Sequence, residues 1–389
     1  MGLMRAIKLI GGFENLYSRL LNTGSDFCSY SGKKCTNYLH RPDDVRHFRF
    51  GGETMQRRLG RQTVALDQPP VILSCAAVGG KQESEGPLSE YFDHLSEDSF
   101  FGEKTWEKAE SAMQKLALSK ALEKATLSPG ELDFIFAGDL LNQCIGTSFG
   151  LRDFGIPFYG LYGACSTMGE SLALASLVIA GGFAQRAGAM TSSHFCTAER
   201  QYRMPVPYGN QRTPTAQWTA TASGCVILGA EGNGPKITAV TCGKIVDKGI
   251  CDVNNMGAAM APAAYDTLSA HFQATGTKPS DYDLVLTGDL GVLGHQIVAE
   301  FFQQDGVDMS ENYKDCGMLL YDIQKQDMHA GASGCGCSAS VLCGYLLRQM
   351  EENHLHKILF APTGALLSPT SSFQGESIPS ICHALTIEK

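Results

Sequence analysis

A cysteine stands where a predicted strand meets a predicted helix. The aromatic run at 158–162 stops at Gly163, and helically spaced apolar residues begin after the cap candidates Ser166 and Thr167. Cys165 lies between the two elements, at a helix end whose partial positive charge stabilises a thiolate. Because open α/β sheets bind ligands at the carboxyl ends of their strands, Cys165 is either a nucleophile or the remnant of one.

Further candidate side chains follow the next predicted strand. His194 ends that strand, at 189–193, so it either faces the same cleft, where an imidazolium would pair with a carboxylate, or is a hydrogen-bonded edge histidine. Glu199, Arg200 and Arg203 come next, on a connection rich in Pro and Gly. Guanidinium groups bind planar carboxylates in bidentate geometry, whereas a solvated loop charge is the alternative for each arginine.

The order of elements recurs in the second half of the chain. A predicted helix at 105–125 is followed by LSPGELDFIFAGDL, and one at 256–272 is followed by TKPSDYDLVLTGDL. Each half then reaches a Gly-rich turn into another helix, from Gly163 and from Gly331. We infer a duplicated α/β unit whose two pockets face each other across a pseudo-twofold axis.

The duplication pairs Asp139 with Asp289, one in each Gly-Asp-Leu turn. Two functions are open for them. They could hold the halves together by accepting hydrogen bonds from opposing backbone N–H groups, or they could coordinate calcium that accompanies a ligand. Two carboxylates are too few for a complete calcium site, which favours the structural alternative.

The length of 389 residues predicts more than one domain. Residues 1–54 are basic and lack strand periodicity, so we expect a poorly ordered extension or a misassigned start, with Met55 the functional start. The two halves of the duplication are predicted at 55–235 and 236–389. The first ten residues do not resemble a signal peptide, because their apolar run is short and no small-residue cleavage site follows.

Composition limits the classes of function. The net charge of -9 lies in an acidic body without basic stripes, which argues against nucleic acid as a partner. Fourteen scattered cysteines are typical of free thiols in a reducing compartment, and the close pair Cys335 and Cys337 lacks zinc-site spacing, so no metal is expected. No window contains some eighteen consecutive apolar residues, which favours a soluble or peripheral protein.

The chain resembles the thiolase and β-ketoacyl synthase superfamily in having a cysteine at its first Gly-rich turn, from Gly163, and a GASG phrase at its second, from Gly331. The fold of that superfamily consists of duplicated αβαβα halves in five layers. Within it, residues 58–389 are similar to the stage V sporulation protein AD family, on the phrases AGDLLNQ, GACST, TSSH, TAERQYR, GAAMAPAA, LTGDL and APTGALLSPT.

The resemblance implies a binding protein for dipicolinic acid, the aromatic dicarboxylate of bacterial endospores. It implies a part in dipicolinate uptake into the developing spore, with the membrane proteins of the stage V sporulation A group and with or without calcium. It also implies a cytoplasmic or peripheral location at the inner spore membrane, no cofactor, and a homodimer formed through the strand at 187–193.

The residues that would support catalysis differ from those of condensing enzymes. Those enzymes place a histidine at the end of the second-half strand, where this chain has Asp289, and an anionic carboxylate cannot polarise a thioester carbonyl as a neutral imidazole does. Cys335 replaces the asparagine of another branch, and His329 stands one residue closer to the GASG phrase than the thiolase pattern requires.

We therefore predict a non-catalytic protein. Its predicted ligand-binding residues are Cys165, His194, Glu199, Arg200, Arg203, Asp289 and Ser333, with Tyr162, Tyr202 and Tyr208 as candidates to stack on the pyridine ring. Two alternatives stay open. One is a thiolase or β-ketoacyl synthase type of acyltransferase that uses Cys165, and the other is a structural subunit with an empty pocket.

Overall fold

The computed structural model of the chain describes residues 48–50, 53–55, 58–202 and 212–389. They belong to one compact unit, Val45–Lys389. Within the predicted extension, two short strands pair as an antiparallel hairpin, Phe48 opposite Met55. The rest of that extension, and with it the test of its predicted disorder, lies outside the described residues, as do Arg203 and Tyr208.

The described strands are β1 (Phe48–Phe50), β2 (Glu53–Met55), β3 (Thr63–Ala65), β4 (Val71–Gly79), β5 (His94–Leu95), β6 (Phe134–Gly138), β7 (Phe158–Leu161), β8 (Arg186–Ser193), β9 (Trp218–Thr219), β10 (Ala222–Gly229), β11 (Lys236–Thr241), β12 (Leu284–Thr287), β13 (Tyr313–Asp315), β14 (Ala332–Ser333), β15 (Lys357–Ala361), β16 (Thr363–Ala365), β17 (Ser380–Cys382) and β18 (Ala384–Glu388). The described α-helices are α1 (Lys81–Ser84), α2 (Trp106–Ala125), α3 (Ile145–Leu151), α4 (Thr167–Ala180), α5 (Phe195–Tyr202), α6 (Met256–Thr275), α7 (Gly291–Gln304), α8 (Cys316–Leu319), α9 (Cys335–Ser340), α10 (Leu347–Glu351) and α11 (Pro369–Phe373).

Strand order confirms the predicted duplication. In the first half the order is β7-β6-β8-β10-β4, and in the second half it is β13-β12-β15-β18-β11. In both halves the first two pairings of this order are parallel and the next two are antiparallel. The two series join where Lys236 of β11 pairs with Val71 of β4. The chain therefore folds one α/β unit twice.

The central helices and strands are apolar and closely packed. Strands β8 and β10 are buried along almost their whole length, as expected of strands covered on both faces. Helix α9 lies directly on β10, since a Cβ added at Gly224 would be 2.5 Å from the carbonyl oxygen of Ala339. One core cluster combines Met168 and Leu172 of α4 with Leu342 of the second half. The two halves therefore share a core.

The position of β8 contradicts the predicted dimer contact. Strand β8 pairs with β10 along one edge and with β6 along the other. Both rows of its backbone hydrogen-bonding groups are already used, so a second copy cannot add to this strand. The prediction of a homodimer through 187–193 was therefore wrong about the strand. Separately, none of the helices that the structure describes combines the length and the apolar character needed to cross a bilayer.

Candidate functional site

A cleft between the two halves contains the predicted cysteine. Its empty space, counted together with the open solvent at its mouth, is about 430 Å³. The lining residues come from both halves and are Leu140, Ala164, Cys165, Ala198, Glu199, Tyr202, Thr219, Met256, Ser333, Ala365 and Leu367. Most are apolar, and the polar ones are few and convergent.

A tight turn places Cys165 in the cleft. Strand β7 ends at Leu161, and Ala164 then adopts a left-handed backbone with φ of 52°. The hydroxyl of Thr167, the first residue of α4, donates to the carbonyl of Ala164 at 2.6 Å. The second half closes on this turn, because a Cβ added at Gly364 would lie 2.5 Å from the carbonyl oxygen of Gly163. Only glycine at this position allows that approach.

Asp289 is the carboxyl group that meets the thiol. It follows β12 and accepts hydrogen bonds from the backbone N–H of Gly334 at 2.9 Å, from Ser333 Oγ at 3.2 Å and from Thr363 Oγ1 at 3.1 Å. It is also hydrogen-bonded to the thiol of Cys165. The thiol of one half and the carboxyl of the other therefore form a pair across the cleft.

Burial and this pairing set the charge of the thiol. Burial, with the charges of Asp289 and Cys335 next, raises the pKa of Cys165 well above its usual value. Burial also raises the pKa of Asp289 to about 6, against the hydrogen bonds it accepts from Cys165 and Gly334. Cys165 is thus a protonated thiol near neutral pH. Stabilisation of a thiolate by the helix end, expected from the sequence, is outweighed by desolvation.

Both duplicated aspartates accept hydrogen bonds from backbone N–H groups of their own half. Asp139 accepts hydrogen bonds from the N–H groups of Leu141 and Thr147, both at 2.7 Å, within its own half. Asp289 likewise accepts a hydrogen bond from a backbone N–H group of its own half, that of Gly334. The prediction that backbone N–H groups of the opposing half bind these carboxylates was therefore wrong. Among the described residues, no group of three or more His, Cys, Asp and Glu side chains could hold a metal ion.

His194 does not take part in the cleft. Its Nε2 donates to the carbonyl of Ser99 at 2.8 Å, and its Nδ1 accepts from the backbone N–H of Cys196 at 3.2 Å. Burial lowers the pKa of His194, so the ring is neutral. The prediction of an imidazolium facing the ligand was wrong, and the edge-histidine alternative is correct.

The charged residues of the following helix point in different directions. Glu199 lines the cleft, and its predicted contact with a ligand stays a prediction. Arg200 instead forms an ion pair with Glu107, and its guanidinium lies over the ring of Trp106, 5.6 Å from the centroid. Arg200 is therefore bound on the outer side of α5, and its predicted ligand contact was wrong. Ser333 also lines the cleft, and its predicted contact with a ligand likewise stays a prediction.

No imidazole approaches the thiol among the residues that the structure describes. The ring of His295 stacks on Tyr313 with centroids 4.2 Å apart. His329 Nδ1 is 2.7 Å from the carbonyl oxygen of Thr213, and its Nε2 is 3.2 Å from Asp327. The described lining of the cleft contains no His, Lys or Arg. A base that could take the proton of Cys165 is thus limited to carboxylates.

Several cleft residues were not predicted to bind ligand. Tyr202 was considered only for ring stacking, yet it lines the cleft, donates to the carbonyl of Leu140 and lies 2.8 Å from the hydroxyl of Tyr162. Cys335 was noted as one of a close cysteine pair and as a replacement for asparagine; it is buried in one cluster with Leu140 and Cys165 behind the cleft, and its thiol donates to the carbonyl of Ser192 at 2.9 Å. Isolated apolar residues such as Met256 give no sequence signal for a cleft wall.

Comparisons with known proteins agree with this architecture. A family model described as stage V sporulation protein AD (SpoVAD) matches residues 60–388. The stage V sporulation protein AD of Bacillus subtilis (strain 168) is 42% identical over 330 residues, which are 85% of this chain and 97% of that protein.

Two solved structures show the fold. The 3-oxoacyl-[acyl-carrier-protein] synthase III of Aquifex aeolicus VF5 superposes with a TM-score of 0.52 at 15% identity, over 82% of this chain and 100% of the other. Human mitochondrial 3-ketoacyl-CoA thiolase in complex with CoA gives 0.52 at 11% identity, over 84% and 99%. The predicted thiolase-like α/β fold is confirmed.

Proposed function

Because the chain belongs to the stage V sporulation protein AD family and has a thiolase-like fold, we propose that this sporulation protein binds dipicolinic acid and takes part in its uptake into the developing spore. The ligand is the one implied by the sequence resemblance. Its proposed site is the cleft that Cys165 lines, with Asp289 buried directly behind the thiol.

One observation carries the proposal of binding rather than catalysis. The thiol in the cleft is paired with a carboxyl group and is protonated. Acyl transfer through a cysteine requires a thiolate or a base that generates one. A thiol held by Asp289 is instead a fixed polar group in a small cavity.

The walls of the cleft suit a flat aromatic ring. Leu140, Met256 and Leu367 give it apolar sides, which favour burial of the two faces of a pyridine. Ser333 and Thr219 also line this cavity, and hydroxyl groups donate hydrogen bonds to carboxylates; the hydroxyl of Ser333 would exchange Asp289 for the ligand as its acceptor. Protonation of Asp289 removes a negative charge that would repel a dicarboxylate.

Calorimetry tests this function. We expect a saturable heat when dipicolinate is added to the full chain, in parallel titrations with and without calcium. Ser333→Ala should weaken binding by about tenfold, as expected for one hydrogen bond of about 1.4 kcal/mol. Ser119→Ala, at an exposed position of α2, should leave the affinity unchanged. Absence of saturable heat from folded wild-type protein would refute the proposal.

A second candidate function is acyl transfer. The fold is that of ketoacyl synthases and thiolases, and Cys165 lines the cleft. This candidate predicts a covalent acyl adduct on Cys165 after incubation with acyl-CoA. A third candidate, a structural subunit with an empty pocket, predicts that sporulating cells carrying Cys165→Ala accumulate the normal amount of dipicolinate.

We further propose that the protein acts at the inner spore membrane with the membrane proteins of the stage V sporulation A group, as the resemblance implies. Fractionation of spores checks this: the chain should sediment with the inner membrane when those proteins are present and remain in the supernatant when they are deleted. Equal distribution in both strains would contradict the association.

A homodimer is also part of the proposal, through a different strand from the one predicted. Strand β7 is the last strand at its end of the sheet, and it pairs only with β6 among the described strands. Phe158 and Tyr159 on this strand and Tyr162 just beyond it are exposed by 40%, 55% and 47%. Light scattering should give a dimer mass that Tyr159→Lys reduces to a monomer, whereas a monomeric wild type would refute this contact.

A further inference from the structure

A fully buried acid on α2 lies behind the wall of the cleft. Glu110 has no exposed surface, and its two carboxyl oxygens contact different elements. Oε1 is 2.9 Å from the hydroxyl of Ser192, at the end of β8, and Oε2 is 2.9 Å from the hydroxyl of Thr197, in α5. Glu110 thereby joins three elements that meet beneath the cleft.

No cation compensates this acid among the described residues that influence it. The turn after β6 brings the carboxyl of Asp139 close, and α9 brings the thiol of Cys335. A partly exposed ion pair, Glu107 with Arg200, also links α2 and α5, but neither residue contributes to the pKa of Glu110. Burial, followed by repulsion from Asp139, raises the pKa of Glu110 to about 8.

The hydrogen bonds are complete for a neutral carboxylic acid. Thr197 Oγ1 lies 3.0 Å from the carbonyl oxygen of His194, so it can accept a proton from Glu110 and donate its own to that carbonyl. Ser192 Oγ donates to Oε1 while it accepts from the amide of Gln114 at 2.5 Å. Both oxygens of the protonated acid therefore have a partner without water.

Helix α5 connects this acid to the cleft. It presents Thr197 to Glu110, and its residues Ala198, Glu199 and Tyr202 line the cleft. We propose that Glu110 is a positioning residue, which as a neutral acid fixes α5 and with it the wall that faces the ligand. Ionisation in alkaline solution places a second negative charge beside Asp139 and loosens this wall. The inference concerns the site of the proposed function, but its first test requires no ligand.

Tryptophan fluorescence provides that test, because both tryptophans of the chain contact α5. Trp106 lies beneath Arg200, and Trp218 stacks on Phe195 with centroids 3.9 Å apart. Wild-type protein should show a transition in emission near pH 8 between pH 6 and 9.5. Glu110→Gln should remove it, and Glu123→Gln, an exposed change on the same helix, should retain it.

Two results would overturn the inference. A flat wild-type profile would show that α5 does not respond, whether or not the variant folds. A transition that persists in folded Glu110→Gln would assign the response to another group. These results leave dipicolinate binding untouched, and absence of dipicolinate binding leaves the fluorescence result valid.

The ligand supplies a second test if dipicolinate binds. At pH 7, Glu110→Gln should bind within about twofold of wild type, because glutamine is neutral and isosteric. Glu110→Ala should bind about tenfold more weakly, in line with the loss of one or two buried hydrogen bonds. Equal affinity of the alanine variant would show that the acid does not position the wall.

Discussion

Affinity for dipicolinate should decrease as Asp289 ionises. The pKa of this carboxyl is raised to about 6, mainly by burial, so it changes charge between pH 5 and 7. It is buried next to Ser333 and the thiol of Cys165, two residues that line the cleft. A dicarboxylate that binds only when Asp289 is neutral loses affinity tenfold per pH unit above 6. We expect a dissociation constant that is about tenfold higher at pH 7 and about a hundredfold higher at pH 8 than at pH 5.

The substitution Asp289→Asn separates this effect from others. Asparagine keeps an oxygen that can accept from the N–H of Gly334, and its amide can donate to Thr363 Oγ1. The variant should bind dipicolinate with little dependence on pH. Because both proteins titrate the same ligand, the ionisation of dipicolinate itself cancels in the comparison.

Asp289→Asn should also change how the free energy of unfolding depends on pH. The folded-state pKa of about 6 exceeds the ordinary value of 3.8, so the unfolded chain loses this proton first. The free energy of unfolding therefore falls by about 1.4 kcal/mol per pH unit between these values, about 3 kcal/mol in all, and is constant above them. Between pH 4 and 7 the variant should lack this decrease.

Calorimetry at pH 5, 6, 7 and 8 measures the effect on affinity, and urea unfolding at pH 4, 5, 6 and 7 measures the effect on stability, both at constant ionic strength. Glu311→Gln, at an exposed position of the second half, serves as the control and should behave as wild type in both assays. Wild-type affinity that is equal from pH 5 to 8 would refute the reasoning. A slope retained by the asparagine variant would assign the dependence to a different group.

Three further outcomes follow from the geometry. Gly364→Ala should lower the free energy of unfolding, measured in urea, by about 1–3 kcal/mol, because its Cβ would meet the carbonyl of Gly163. Gly130→Ala is the control and should have a much smaller effect, because no atom lies within 4 Å of the added Cβ. Equal losses in the two variants would contradict the close approach at Gly364. His194→Ala should lower the free energy of unfolding by about 1–2 kcal/mol, because two hydrogen bonds are lost, and should leave dipicolinate affinity within twofold. A large loss of affinity would show that the imidazole does contact the ligand. Cys165 should show no acyl adduct by mass spectrometry after acyl-CoA treatment at pH 7, because its thiol is protonated, and stoichiometric acylation would favour an enzyme.

The fold was predictable because its signals are local or repeated. Apolar spacing places helices at 105–125 and 256–272, and the structure has them at Trp106–Ala125 and Met256–Thr275. The recurring Gly-Asp-Leu turns indicate a duplication, and the matching strand orders of the two halves confirm it. The position of Cys165 between a strand and a helix was equally accessible, because adjacent residues define it.

The directions in which side chains point were harder to predict from the sequence. His194 and Arg200 lie next to cleft residues in the chain, but they bind Ser99 and Glu107, which come from a loop and a helix far away in sequence. The prediction of the dimer strand was wrong for a similar reason. Whether β8 is an edge or an interior strand depends on which strands pair with it, and pairing is non-local.

The charge of the cleft follows from its pairing of a thiol with a carboxyl. If Cys165 and Asp289 both ionised, two negative charges would lie side by side in a buried site, and the described lining offers no cation to offset them. The pair therefore keeps at least one proton near neutral pH. An imidazole in the place of Asp289 could accept that proton and become a cation beside a thiolate. A carboxyl group cannot do this, so an aspartate at this position leaves a protonated thiol in the cleft.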